Sequence, residues 1–354
     1  MGRYAGLLLL ILVAAGAFAA GIALSGSEPG SGDGGPETGE RGVSVSGSRG
    51  AAGDVCDELL GSGGNVEVFI ARLAPGETGC LREGRHEAPE GATVDVPGVT
   101  LTSYPGETAT LAGRLWIEQG ADGVVIEDLV LDGRNAESLP SPTVNADGVT
   151  LRGNDISNRN TEICLTVGSG RFGEAAGTLI EGNRIHDCGR LPPTNLDHGI
   201  YVSHATDTVI RGNTIYDNAD RGVQLYPDAQ GTRVVGNVID GNGEGVHFGG
   251  DSDEASSGNV VAGNLIANSN LRYNVESHWQ GPVGSGNVVR DNCVWTDRPG
   301  FYSGSPAGSG IEAPLDGVRA RDNIVEEPDY VDRDAGDFEL DHESACARLP
   351  VAHR

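Results

Sequence analysis

The sequence predicts an all-β fold: a single-stranded right-handed parallel β-helix, a solenoid of about 8–10 coils behind an N-terminal signal or anchor segment. Three observations carry the prediction. A Val/Ile-x-Gly-Asn-x-Ile motif recurs at intervals of one solenoid coil. The composition is glycine-rich and aromatic-poor, with 56 Gly and 5% Phe, Trp and Tyr. Beyond Leu24 no segment has a convincing helical period, except Asp54–Leu60, which reads as a short capping helix.

At the N-terminus, Tyr4 to Leu24 is an uncharged run of Leu, Ile, Val, Ala and Gly. It is about 20 residues long, at the border between a secretory signal and a membrane-spanning helix. Ala17-Phe18-Ala19 has the small-x-small form of a cleavage site, whereas the length of the run suits an anchor. Both outcomes export the remainder. Segment 1–24 is therefore assigned as signal or anchor, and 25–53 as a flexible Gly/Ser/acidic linker. The β-helix is assigned to 54–346 and a tail to 347–354.

Six cysteines follow: Cys56, Cys80, Cys164, Cys188, Cys293 and Cys346. None forms a C-x-x-C pair, which argues against zinc, and an even number in an exported chain points to disulfides. Fifteen connectivities are open. The simplest is sequential, with the first and last bonds stapling the ends of the solenoid.

The repeat is clearest in Val-Thr-Leu-Arg-Gly-Asn-Asp-Ile (149–156), Thr-Leu-Ile-Glu-Gly-Asn-Arg-Ile (178–185) and Thr-Val-Ile-Arg-Gly-Asn-Thr-Ile (208–215). Four further copies place the Asn at 154, 183, 213, 237, 264, 292 and 323, in steps of 29, 30, 24, 27, 28 and 31. An earlier copy, Val-Val-Ile-Glu-Asp-Leu-Val-Leu (124–131), fits with Asp128 in the Asn place. Alternating Val/Ile makes a short strand with one face inward, and Asn suits the corner because it tolerates the left-handed region and bonds nearby backbone. Stacked coil on coil, these side chains should form an internal amide ladder. A leucine-rich repeat would need a Leu consensus, a propeller longer periods with Trp-Asp signatures, and a left-handed helix a hexapeptide period; none is present.

On these motifs the chain resembles the right-handed β-helix repeat proteins that include the NosD-like and carbohydrate-binding/sugar-hydrolase repeat families, many of them exported by bacteria. The resemblance runs from about Val66 to Leu340. It includes Leu-Arg-Glu-Gly-Arg-His (81–86), Val-Thr-Leu-Thr-Ser-Tyr-Pro-Gly-Glu (99–107) and the closing Tyr330-to-Leu340 segment. These motifs are specific for the fold and nearly silent on the reaction.

The formal charge of −27 repels nucleic-acid phosphates and anionic lipid, so neither is an expected partner; contact with a membrane would run through the N-terminal segment alone, and the protein is expected to be a monomer. All 24 basic residues are Arg. Chemistry that needs a Lys base is excluded.

Candidate chemistry sits on a second strand of each coil: Ile163-Cys164-Leu165-Thr166, Ile200-Tyr201-Val202-Ser203, Val223-Gln224-Leu225-Tyr226, Val246-His247-Phe248-Gly249 and Tyr273-Asn274-Val275-Glu276. With the aliphatic positions inward, two outward columns result. One holds Cys164, Tyr201, Gln224, His247 and Asn274; the other holds Thr166, Ser203, Tyr226, Gly249 and Glu276. His198, Arg221, Glu244 and Arg272 precede these strands, and His278 and Trp279 follow them. Parallel faces of this kind suit a linear polysaccharide, and Trp279 suits stacking on a sugar ring. A uronan lyase or epimerase would use His198 or His247 as base, Tyr201 or Tyr226 as acid and Arg221 or Arg272 to neutralise the substrate carboxylate. A glycosidase would use two carboxylates, Glu244 with Glu276 or Asp251. Gln224, Glu244, Arg272, Asn274, His278 and Trp279 are assigned to substrate binding. The Asp-Pro-His signature of uronan epimerases and the paired-Asp and Arg-x-Lys motifs of polygalacturonases are absent. No cofactor is required and no metal ligand is assigned, although Asp251 and Asp253 form a possible Ca²⁺ site. The competing class is a non-catalytic cell-surface or carbohydrate-binding scaffold.

Overall fold

In this computed structural model residues 55–298 and 307–349 are described. The proposed signal or anchor and the linker lie outside them. Among the described residues no helix is long and apolar enough to cross a membrane.

The chain is a right-handed parallel β-helix. Strands preceding each corner stack into one sheet of eleven parallel strands, and those following the corner join an 18-stranded sheet. Ile126, Leu151, Ile180, Ile210, Val234 and Val261 align rung upon rung and are fully buried. Beyond the corner Ile156, Ile185, Ile215, Ile239 and Ile266 do the same. One aliphatic side chain per short strand is enough, because each is closed above and below by its copies.

The amide ladder is present. Asn154, Asn183, Asn213, Asn237, Asn264 and Asn292 each donate Nδ2–H to the next Asn Oδ1 at 2.8–3.0 Å. The same Oδ1 accepts the preceding backbone N–H, as between Asn213 N and Asn237 Oδ1 at 2.9 Å. The corner itself differs from expectation. The left-handed residue is not Asn but the one before it: Gly153, Gly182, Gly212, Gly236 and Gly263 have φ of +61° to +65°. Asp128, Asp291 and Asp322 take that place in their coils, at φ +54° to +56°. Asp128 therefore occupies the Gly position, and Leu129 stands in the Asn position, its N–H donating to Asn154 Oδ1 at 3.1 Å.

The capping helix also moves. Glu58–Leu60 is a strand pairing with Gly79–Leu81, and the helix is Val66–Ile70, whose N-cap Asn65 accepts from Val68 N at 2.8 Å. Its Val66, Phe69 and Ile70 cover the open end of the core. The disulfides are sequential: Cys56–Cys80, Cys164–Cys188 and Cys293–Cys346. Three such bonds mark a chain that folds in an oxidising, extracytoplasmic compartment.

Candidate functional site

Four long strands, Ile200–Thr206, Arg221–Gln230, Glu244–Asp251 and Val275–Gln280, lie side by side in the larger sheet. Their register fixes which side chains share a face. Ile200, Val223, Val246 and Val275 align inward at 0% exposure. One position further, Tyr201, Gln224, His247 and Glu276 align outward, with Thr166 before them. Glu276 thus belongs beside His247, and Asn274 does not. Asn274 is fully buried, with Nδ2 donating to Trp295 O at 2.8 Å and Ser309 O at 2.9 Å. Cys164 is buried in its disulfide. By sequence Tyr273 looks like the partner of Val246, but Val275, two residues further on, holds that place.

A second outward line runs through Tyr226, Gly249 and His278. Gly249 and His278 pair, and Tyr226 follows Leu225, which pairs with Phe248. A Cβ on Gly249 would come within 2.8 Å of His278 O, 2.9 Å of Tyr226 Cδ2 and 3.1 Å of His247 Nε2. Glycine here lets a phenol, an imidazole and a backbone approach one another.

Beneath the first line lies a charged cluster. Glu244 is fully buried; its Oε1 is 2.9 Å from His247 Nδ1, and its Oε2 accepts from Arg272 Nε at 2.8 Å. Arg221 Nε lies 3.2 Å from the same oxygen. Arg272 also pairs with buried Asp220, and its Nε stands 3.9 Å from Glu276 Oε2. Burial pushes the Glu244 carboxyl up and the His247 imidazole down, because each would carry its charge out of water. Glu276 is pushed up to about 7, first by burial and then by the nearby Glu244. His198, 2% exposed, is lowered by burial and by Arg221, and its Nδ1 has no hydrogen-bond partner among the described residues. Burial raises the Tyr201 phenol, and burial with the Asp251 contact raises Tyr226, whose hydroxyl donates to Asp251 Oδ2 at 2.9 Å. Along the first line, Thr166 Oγ1, Gln224 Oε1 and Glu276 Oε2 are buried atoms without a hydrogen-bond partner among the described residues.

The fold therefore gathers His198, Tyr201, Gln224, Tyr226, Glu244, His247, Arg272, Glu276 and His278. It sets three other candidates apart. Arg221 is 4% exposed and spends its terminal nitrogens on Asn195, at 3.0 Å to the carbonyl and 2.7 Å to Oδ1. It pins the 189–197 loop and is not presented to a substrate. Trp279 donates its indole N–H to Asp316 O at 3.0 Å and packs against the core. Asn274 is an interior corner. Sequence reasoning missed Glu312, which accepts from Ser277 N at 2.9 Å and acts on the charge of Glu244 and Glu276. It lies outside the repeat pattern, and only the returning chain brings it to the strip.

Among the described residues, one group of three acidic or histidine donors comes within 4.8 Å of one another: Glu244, His247 and Glu276. Asp251 and Asp253 are not in it.

The class of protein is now defined: a right-handed parallel β-helix repeat protein with an acid–base cluster on the outward face of its larger sheet. More particularly, residues 141–297 match the family described as "Periplasmic copper-binding protein (NosD)". The donors do not suit copper. One imidazole and two carboxylates stand there, two arginines contact Glu244, and no cysteine among the described residues is free. Among solved structures, an alginate lyase from Paenibacillus sp. str. FPU-7 superposes with a TM-score of 0.56 at 17% identity, covering 75% of this chain and 98% of that one. Pectate lyase Pel9A gives 0.47 at 14%, covering 78% and 84%. The periplasmic alginate epimerase AlgG gives 0.47 at 13%, covering 71% and 60%. No curated protein matches the sequence.

Proposed function

We propose that this exported β-helix acts on an acidic polysaccharide, abstracting the proton beside a uronate carboxylate and so cleaving the chain by elimination or epimerising it. The signal or anchor run at 4–24 would deliver it across the membrane. The observation that carries the reading is the order Glu244–His247–Glu276. Buried Glu244, when ionised, accepts from His247 Nδ1–H, which leaves Nε2 as the basic nitrogen, beside Gly249. His247 would take the C–H proton, and Arg272, whose side chain is 28% exposed, would offset the substrate carboxylate. For elimination, Tyr226 or Tyr201 would give its proton to the leaving glycosidic oxygen; for epimerisation, to the opposite face of the carbanion. The fold shared with an alginate lyase supports the reading. A two-carboxylate glycosidase fits less well, because Glu244 is sealed and committed to His247 and Arg272.

Incubating the secreted protein with alginate, pectate and other uronans, and following unsaturated uronate by absorbance and epimer content by NMR, tests the proposal. Turnover should fall roughly 10²–10⁴-fold in His247→Ala and in Tyr226→Phe. If the intact protein turns over none of the panel, the enzymatic reading fails. Binding without turnover would favour the scaffold reading, which the mutual neutralisation of Arg272, Asp220 and Glu244 also suits.

A further inference from the structure

The outward line that ends in His247 and Glu276 begins far from them. Thr93 pairs with Trp116, Trp116 with Thr143, Thr143 with Thr166 and Thr166 with Tyr201. Trp116 therefore stands in line with His247, five rungs away, about 24 Å at about 4.8 Å per rung. Around it is a second cluster. The Arg114 guanidinium lies over the Trp116 ring, 4.2 Å from its centroid. Phe172 meets that ring edge-on at 5.3 Å and stays 48% exposed. An open cleft of about 200 Å³ beside them is lined by Glu90, Thr93, Arg114, Trp116 and Glu118.

Core packing does not explain this arrangement. The loop carrying Phe172 lies flat on the sheet because of glycines: a Cβ on Gly168 (φ +74°) would meet His204 O at 2.0 Å, and one on Gly173 (φ +138°) Asn145 O at 2.5 Å. So confined a loop lays a large apolar ring on open surface. Arg114 adds a second oddity. In a chain of charge −27 it makes no ion pair with any described carboxylate, and its buried Nε has no hydrogen-bond partner among the described residues. A cation over half-buried Trp116 and beside exposed Phe172 suits a sugar that carries a carboxylate.

We propose that Arg114, Trp116 and Phe172 form a distal subsite for the same polysaccharide, holding an acidic sugar about five units from the one that reacts. The inference rests on the His247 end being the reacting site.

Calorimetric titration of the intact protein with mannuronate and galacturonate oligomers of two to eight units provides the test. Affinity should rise once a chain reaches about six units, the length that touches both ends. Trp116→Ala, Phe172→Ala and Arg114→Gln should each weaken octamer binding roughly five- to tenfold and leave trimer binding unchanged. Phe172→Ala, at an exposed position, keeps the test decisive if Trp116→Ala fails to fold. Length-independent affinity, or variants that bind the octamer as the intact protein does, overturns the subsite. If those variants bind normally while His247→Ala loses turnover, the subsite alone fails. Trp116-dependent octamer binding without turnover sinks the catalytic reading and keeps the subsite. Binding of no oligouronate overturns both.

Discussion

Glu276 ends the outward line with one buried oxygen that accepts no hydrogen bond among the described residues and its carboxyl pushed up to about 7. Such a group makes stability depend on pH with a definite sign. Below its unfolded value both states are protonated and it contributes nothing. As pH rises the unfolded chain releases this proton first, so stability falls until the folded carboxyl has also ionised near pH 7, and the cost stays above that. Glu276→Gln should therefore be neutral at pH 4 and stabilising at pH 8, by about 1–3 kcal/mol given the coupling to Glu244. Urea unfolding at the two pH values checks this; an equal effect at both would contradict it. The ladder makes a second residue-scale prediction. Asn237 donates to Asn264 Oδ1 and Ile210 O, and accepts two bonds from Asn213. Asn237→Leu adds apolar surface yet leaves buried amides on both neighbouring rungs unpaired. Its expected cost is about 2–4 kcal/mol, and a loss below about 0.5 kcal/mol would deny the ladder its role.

At the scale of the element, the C-terminal arm is the part the repeat did not announce. Tyr330–Asp332 and Asp337–Leu340 pair antiparallel and lie back across earlier coils. Phe338 packs on Tyr216 with centroids 5.0 Å apart, and Tyr216 stacks on His186 at 4.9 Å. Arg333 Nε reaches buried Asp240 at 2.5 Å, and a terminal nitrogen reaches Asp217 at 3.0 Å. Removing Arg333 strands the Asp240 carboxylate, so Arg333→Ala should cost about 3 kcal/mol at pH 8. The loss should be smaller at pH 4, because burial raises Asp240 and it is more readily neutral there. Chemical denaturation at both pH values measures the difference. On the other side, Cys164–Cys188 closes a 24-residue stretch and ends beside the loop that Arg221 holds. Replacing both cysteines by Ser should cost about 3 kcal/mol by loop entropy, read as a lower urea midpoint.

For the whole molecule, the charge of −27 is spread over a solenoid in which the strands of each coil pair mainly with those of the coils above and below. Self-repulsion along that length should ease with screening, so the melting temperature should rise between about 10 mM and about 0.3 M NaCl. A melting temperature that is flat or falls with salt would mean that the ion pairs outweigh the repulsion. The same stacking explains how a face can act as one surface: residues 93 to 276 share a single outward line although no two of its members are near in sequence.

Repetition made the architecture legible. The Val/Ile alternation and the Asn at 154, 183, 213, 237, 264, 292 and 323 determine strand, corner and ladder, because each coil repeats one local solution. The sequential disulfides were one open pairing among fifteen. The outward Tyr201, Gln224 and His247 were readable too, since strand alternation alone sends them out. Where a coil departs from its neighbours, periodicity misleads: it puts Asn274 in Glu276's position, and Asp128 in the Asn place instead of the Gly place. Tertiary structure alone decided that Arg221 faces Asn195, that Trp279 is tied to Asp316, and that Glu312 reaches the strip. Those outcomes depend on loops of unequal length returning to one face, and no local periodicity encodes where a loop lands. The sequence by itself determined the coil; the folded chain decided which of its polar side chains meet.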